Sequence, residues 1–142
     1  MTVRIPDSLR IAALAALVSA AAGVAGVSTH PDHPAPQPSV TALSDTTSHY
    51  QPILDGPPGT TSMESGYVIL QPGATGSKHS SKRYEEALVI LSGEGELVIT
   101  DGPTLALTPL AVAYCPTWTE HQIRNTGPVP LKYVYVAAQV LE

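Results

Sequence analysis

From residue 66 onward, short apolar runs alternate with turn residues. "GYVILQ" (66–71) closes on Pro-Gly, "EALVIL" (86–91) on "SGEGE", and "LVIT" (97–100) on "DGP". "LAL" (105–107), "AVAY" (111–114), "HQIRN" (121–125) and "LKYVYVAA" (131–138) continue the series. No run sustains a 3.6-residue apolar period, and each has the length of a strand rather than a helix. Short strands divided by Gly, Pro, Asp and Ser predict an all-β sandwich or barrel. The "DG" at 101–102 predicts a hairpin in which glycine supplies a positive φ. Residues 40–54 predict one more edge strand, broken by "DGPPG". The β domain is therefore expected over 40–142.

The beginning of the chain has a different pattern. Two arginines precede an uncharged run rich in Ala, Val and Leu at 11–27. A charged stretch followed by an apolar one reads as an export signal over 1–27, with small residues near 23–25 suited to cleavage. Left uncleaved, the same stretch would be an N-terminal membrane anchor. Its length falls short of the roughly 20 apolar residues that span a bilayer, which favours cleavage. An exported protein, periplasmic or extracellular, is the expectation. Residues 28–39, "STHPDHPAPQPS", form a proline-rich linker. His30 and His33 within it read as part of a solvated tether.

Charge and cysteine content narrow the function further. The 142 residues carry a formal charge of −5, which becomes −6 once Arg4, Asp7 and Arg10 are removed with the leader. An acidic domain offers no electrostatic footprint for nucleic acid. Cys115 is the sole cysteine, so no internal disulfide forms. No serine-hydrolase, P-loop or dinucleotide signature is present.

Alternation along the strands brings out candidate chemistry. His79 and Ser81 share a face, and so do His121, Ile123 and Asn125. Glu86 shares its face with Leu88 and Ile90, where a carboxylate is costly unless paired or bound to a cation. His79, Glu86 and His121 come from three segments and together make a two-His, one-carboxylate set. The competing reading is a buried ion pair with an unrelated core histidine. Glu85 and Glu86 point to opposite faces, so they do not share a proton, and Glu85 is expected in solvent.

These residues resemble the cupin family. The first cupin motif, G-x5-H-x-H-x3,4-E-x6-G, appears as Gly73-x5-His79-x-Ser81-x4-Glu86-x6-Gly93. The second, G-x5-P-x-G-x2-H-x3-N, appears as Leu110-x5-Pro116-x-Trp118-x2-His121-x3-Asn125. Ser81 replaces a histidine, while Leu110 and Trp118 replace glycines. The resemblance implies a double-stranded β-helix, the cupin jelly-roll barrel. It also implies one divalent metal ion held by His79, Glu86 and His121, with Fe, Mn, Zn, Ni and Cu all compatible. Ser81 leaves that site one nitrogen short.

Around the ligands, Ser81, Tyr84, Trp118, Ile123 and Asn125 are expected to line a pocket, with Trp118 either covering the site or packed in its loop. Lys78, Lys82 and Arg83 read as a solvated edge, and Cys115 as a small buried hydrophobe. The implied activity is a metalloenzyme of oxygenase or isomerase type acting on a small polar molecule. The alternative is a non-catalytic module that binds a small ligand or metal, or that assembles. The resemblance also suggests a homodimer, with the largely apolar 131–138 strand as a contact surface.

Overall fold

A computed structural model describes residues 36–45 and 49–140. The expected export segment and the linker as far as residue 35 lie outside the described residues. Among the described residues there is no helix, hence none long and apolar enough to cross a membrane. Nine strands form instead: β1 (Tyr50–Asp55), β2 (Met63–Leu70), β3 (His79–Ser80), β4 (Tyr84–Ser92), β5 (Gly95–Ile99), β6 (Thr104–Leu107), β7 (Val112–Cys115), β8 (Glu120–Asn125) and β9 (Leu131–Gln139). Each apolar run of the sequence falls on one of them, and residues 40–54 contribute β1.

The strands pair into two antiparallel sheets, β1-β2-β9-β4-β7 and β3-β8-β5-β6. Their inner faces meet over a core of Leu88, Ile90, Leu97, Leu107, Ile123, Leu131 and Tyr133. Alternation explains the membership. Leu88 and Ile90 alternate with Ala87 and Val89 on β4, and His121, Ile123 and Asn125 alternate with Gln122 and Arg124 on β8. Register then builds a row across all five strands of the first sheet. Asp55 stands opposite Glu64, Glu64 opposite Ala137, Ala137 opposite Glu86, and Glu86 opposite Cys115.

Part of the outer face of that sheet is covered by the chain leading into β1. Asp45 accepts a hydrogen bond from the Tyr67 hydroxyl at 3.0 Å and pairs with Lys132 at 2.9 Å. Gln51 on β1 donates to the Ala42 carbonyl and accepts from the Ser44 amide. This strap leaves Tyr67 and Ile69 buried although they face away from the core cluster.

The turns depart from expectation in two places. In the β5–β6 hairpin, Asp101 rather than Gly102 takes the positive φ, at 56°. Asp tolerates the left-handed region better than most side chains. Gly102 meets a steric demand instead, since a Cβ there would lie 2.8 Å from Ile99. The second departure is at β3, which ends at Ser80. The chain turns at once through Lys82 (φ 50°), so Ser81 lies beyond the extended segment and does not continue the face of His79.

Candidate metal centre

Register brings the two histidines together: His79 on β3 stands directly opposite His121 on β8. Their rings lie 4.5 Å apart, tilted by 58°. Glu86 reaches them from β4 in the facing sheet. Its Oε2 lies 3.3 Å from His121 Nε2 and its Oε1 lies 3.9 Å from His79 Nε2. All three donor atoms fall within 4.8 Å of one another.

Both imidazoles are oriented by the same device. His79 Nδ1 donates to the Ser77 carbonyl at 3.0 Å, and His121 Nδ1 donates to the Thr119 carbonyl at 3.1 Å. Each histidine thus binds the residue two places before it, which fixes the proton on Nδ1 and turns the Nε2 lone pair towards Glu86. His121 is only 1 % exposed, and its Nε2 makes no hydrogen bond but faces the Glu86 carboxylate at ion-pair distance, 3.3 Å. A buried nitrogen without a hydrogen bond costs about 1–3 kcal/mol. A cation removes that cost.

The donor set fits such an ion. With metal–N and metal–O bonds of about 2.0–2.1 Å, neighbouring ligands of a tetrahedral ion stand about 3.3–3.4 Å apart. The two Glu86 separations of 3.3 and 3.9 Å lie near this value, and the third donor pair is within 4.8 Å. Two neutral nitrogens and one carboxylate suit a first-row divalent metal and leave positions open for a ligand.

Ser81 does not fill the missing position. Its buried hydroxyl donates to the Pro116 carbonyl at 2.7 Å and accepts from the Thr119 amide at 2.9 Å. The Ser81 amide also bonds the Thr119 carbonyl. The residue therefore latches the β3–β4 turn to the loop before β8, between the two halves of the site.

Cys115 is buried as expected, and in addition touches the site. Its Sγ lies 3.3 Å from His121 Nδ1. Burial, then the charge of Glu86, push the thiol up to about 11, so it stays neutral and packs behind the imidazole. The carboxylate of Glu86 raises the pKa of His121, and burial opposes it.

The three residues open into a cavity of about 550 Å3, in the size range of small-ligand sites. Ser81, Tyr84 and Ile123 line it, but two residues expected there do not. Trp118 is 73 % exposed and points away into solvent. Asn125 is buried but committed to a loop: its Nδ2 donates to the Leu70 and Val129 carbonyls, and its Oδ1 accepts from the Gly127 amide. Glu64, Tyr133, Tyr135 and Lys82 line the cavity as well. Glu64 was missed because β2 begins three residues before the apolar run that marks it. Lys82 is exposed, as expected of a solvated edge, and borders the cavity as well.

The family model for the cupin domain matches residues 66–137, just over half of the chain. The chain belongs to the cupin family. Solved cupins agree on the fold. A conserved barrel domain protein of the cupin 2 type from Salinispora arenicola is 18% identical, over 73% of this chain and 92% of that one, with a TM-score of 0.61. The cupin domain of Schizosaccharomyces pombe Cnp3 is 22% identical over 64% of each chain, with a TM-score of 0.58, so this cupin spans under two thirds of that relative. A cupin domain from an XRE family transcriptional regulator of Enterobacter cloacae is 23% identical, over 65% of this chain and 96% of that one, at a TM-score of 0.57. No curated protein matches. The barrel is thus a double-stranded β-helix, and His79, Glu86 and His121 lie within it where a metal could be held.

Proposed function

We propose that this protein is an exported cupin that holds one divalent metal ion through His79, Glu86 and His121 and presents it to a small polar molecule. The observation that carries the reading is the buried Nε2 of His121, which makes no hydrogen bond and is aimed at a carboxylate and a second imidazole. When bound, such an ion polarises a ligand oxygen or lowers the pKa of a bound water, and an iron ion would allow oxygenase chemistry. The chain's own residues orient and enclose. Ser77 and Thr119 carbonyls hold the imidazoles, Ser81 ties the two loops, and Leu88 and Ile123 keep the inner wall apolar. Export rests on the 1–27 pattern.

A specific observation favours the non-catalytic alternative. Burial raises the pKa values of Tyr133 and Tyr135 far above the ordinary phenol value, so both stay protonated and do not serve as bases. Among the described residues, no histidine outside the ligand set lines the cavity. Oxygen uptake by the iron-loaded protein with a reductant distinguishes the readings. Turnover with a small polar substrate supports the enzyme. Ligand-dependent stabilisation without turnover supports a binding module.

The proposal includes a homodimer formed through the outer face of β4, β7 and β9. Val89, Leu91, Val112 and Tyr114 are exposed there, beside the half-buried Val134 and Val136. The matching face of the other sheet carries Glu96, Gln122 and Arg124 instead. An apolar patch on one sheet only is the mark of a contact surface.

A further inference from the structure

The cavity holds a carboxylate for which the metal centre has no use. Glu64 shares an inward row with Glu86, the two separated by Ala137 on β9. Among the described residues no cation lies within ion-pair distance of Glu64. Register also places Asp55 opposite it, a like-charge pair that costs stability. Tyr135 lines the cavity with Glu64, and its ring stacks at 6.5 Å on that of the exposed Tyr50 outside the lining, with the two hydroxyls 3.1 Å apart. A Cβ on Gly66 would lie 2.4 Å from the Tyr50 ring, so glycine is what permits this aromatic pair. A half-buried carboxylate next to aromatic rings is a setting for an ammonium group, through a charge-assisted hydrogen bond and cation–π attraction.

The other end of the cavity has the opposite polarity. The buried His121 Nε2, which makes no hydrogen bond, points into it together with His79, and Lys82 stands at its edge. With a divalent ion at the triad, that end is positive while Glu64 remains negative. The backbones of the two glutamates are two strand spacings apart, about 10 Å, and the Glu64 carboxylate extends towards Gly56 at the β1 end. An ammonium contact of about 2.8 Å at one end and metal–oxygen bonds of about 2 Å at the other leave room for a short carbon chain between the charged groups.

We infer that the ligand of this cavity is a short amino carboxylate, its ammonium on Glu64 and its carboxylate towards the triad and Lys82. The inference rests on the metal reading above for its carboxylate end only.

The test uses the full chain and Glu64→Gln, which removes the charge at nearly constant shape. Elemental analysis of both comes first and reports on the metal reading alone. Calorimetric titrations with β-alanine, propionate, propylamine and glycerol follow. The expected result is β-alanine binding about tenfold tighter than propionate or propylamine. Glu64→Gln should remove the preference over propionate while leaving metal content and propionate affinity unchanged. Equal affinity for β-alanine and propionate, tighter binding of glycerol, an unaffected Glu64→Gln variant, or no binding of any probe overturns the inference. A metal-free parent that still shows a Glu64-dependent preference for β-alanine defeats the metal reading and supports the ammonium subsite.

Discussion

Ser81 shows how one side chain can be mistaken for a failed ligand. Its oxygen makes two hydrogen bonds to backbone across 35 and 38 residues of sequence. Replacing it by alanine leaves the part-buried Thr119 amide and Pro116 carbonyl without that partner. Ser81→Ala is expected to lower stability by about 1–3 kcal/mol in urea unfolding and to leave metal content unchanged. Loss of metal at undiminished stability would make it a ligand after all. His121 sets the pH dependence. Its pKa is raised above the ordinary 6.5, chiefly by Glu86. In the metal-free protein the His121–Glu86 pairing therefore stabilises fully below that ordinary value and is lost as pH rises through the raised pKa. Metal binding has the opposite sign, because the proton competes for Nε2. Metal titrations at a series of pH values should show affinity falling, as pH is lowered, from a point above that of a free imidazole.

The turns and loops that aim the strands carry their own cost. Leu110 and Trp118 occupy motif positions written as glycine, and both keep a glycine-like backbone, with φ of 64° and 59°. Gly73 and Gly93, at the other motif positions, have φ of 76° and 81°. The motif thus encodes a backbone shape that this chain retains with strained residues. Leu110 is 90 % exposed and loses little packing on truncation. Leu110→Gly should raise the unfolding free energy by up to about 1 kcal/mol, the relief of left-handed strain less the added chain entropy. Gly93→Ala should do the reverse, by about 2–3 kcal/mol, because its Cβ would meet the Pro130 carbonyl oxygen at 2.4 Å. Thermal or urea unfolding measures both. At this scale most of the fold was legible: alternation marked β4 and β8 and put Glu86, His121 and Ile123 inside. What escaped was set by distant pairing. Ser81 leaves its strand because of the turn at Lys82, Trp118 is turned outward by its loop, and Glu64 enters the cavity only through register with Ala137.

For the molecule as a whole, the two sheets differ in what they show to solvent. The strap through Asp45 covers the five-stranded sheet over β2 and leaves the β4–β7–β9 region open. If that region is the proposed dimer contact, Val112→Glu should convert the protein to a monomer in sedimentation velocity with the fold intact. A parent that is itself monomeric at high concentration would remove this part of the account. The cupin resemblance was carried by residue types and spacing in two motifs. Substrate, partner and location are not encoded in that spacing, since the same barrel serves many functions.

The measurement that bears most directly on the central claim is the metal content of the purified protein, without a histidine tag, beside Glu86→Gln and His121→Ala. Each variant is checked for folding by circular dichroism. The account predicts close to one first-row divalent ion per parent chain and little in either folded variant. A folded parent without metal, both as purified and after incubation with Fe, Mn, Zn, Ni and Cu, would contradict it.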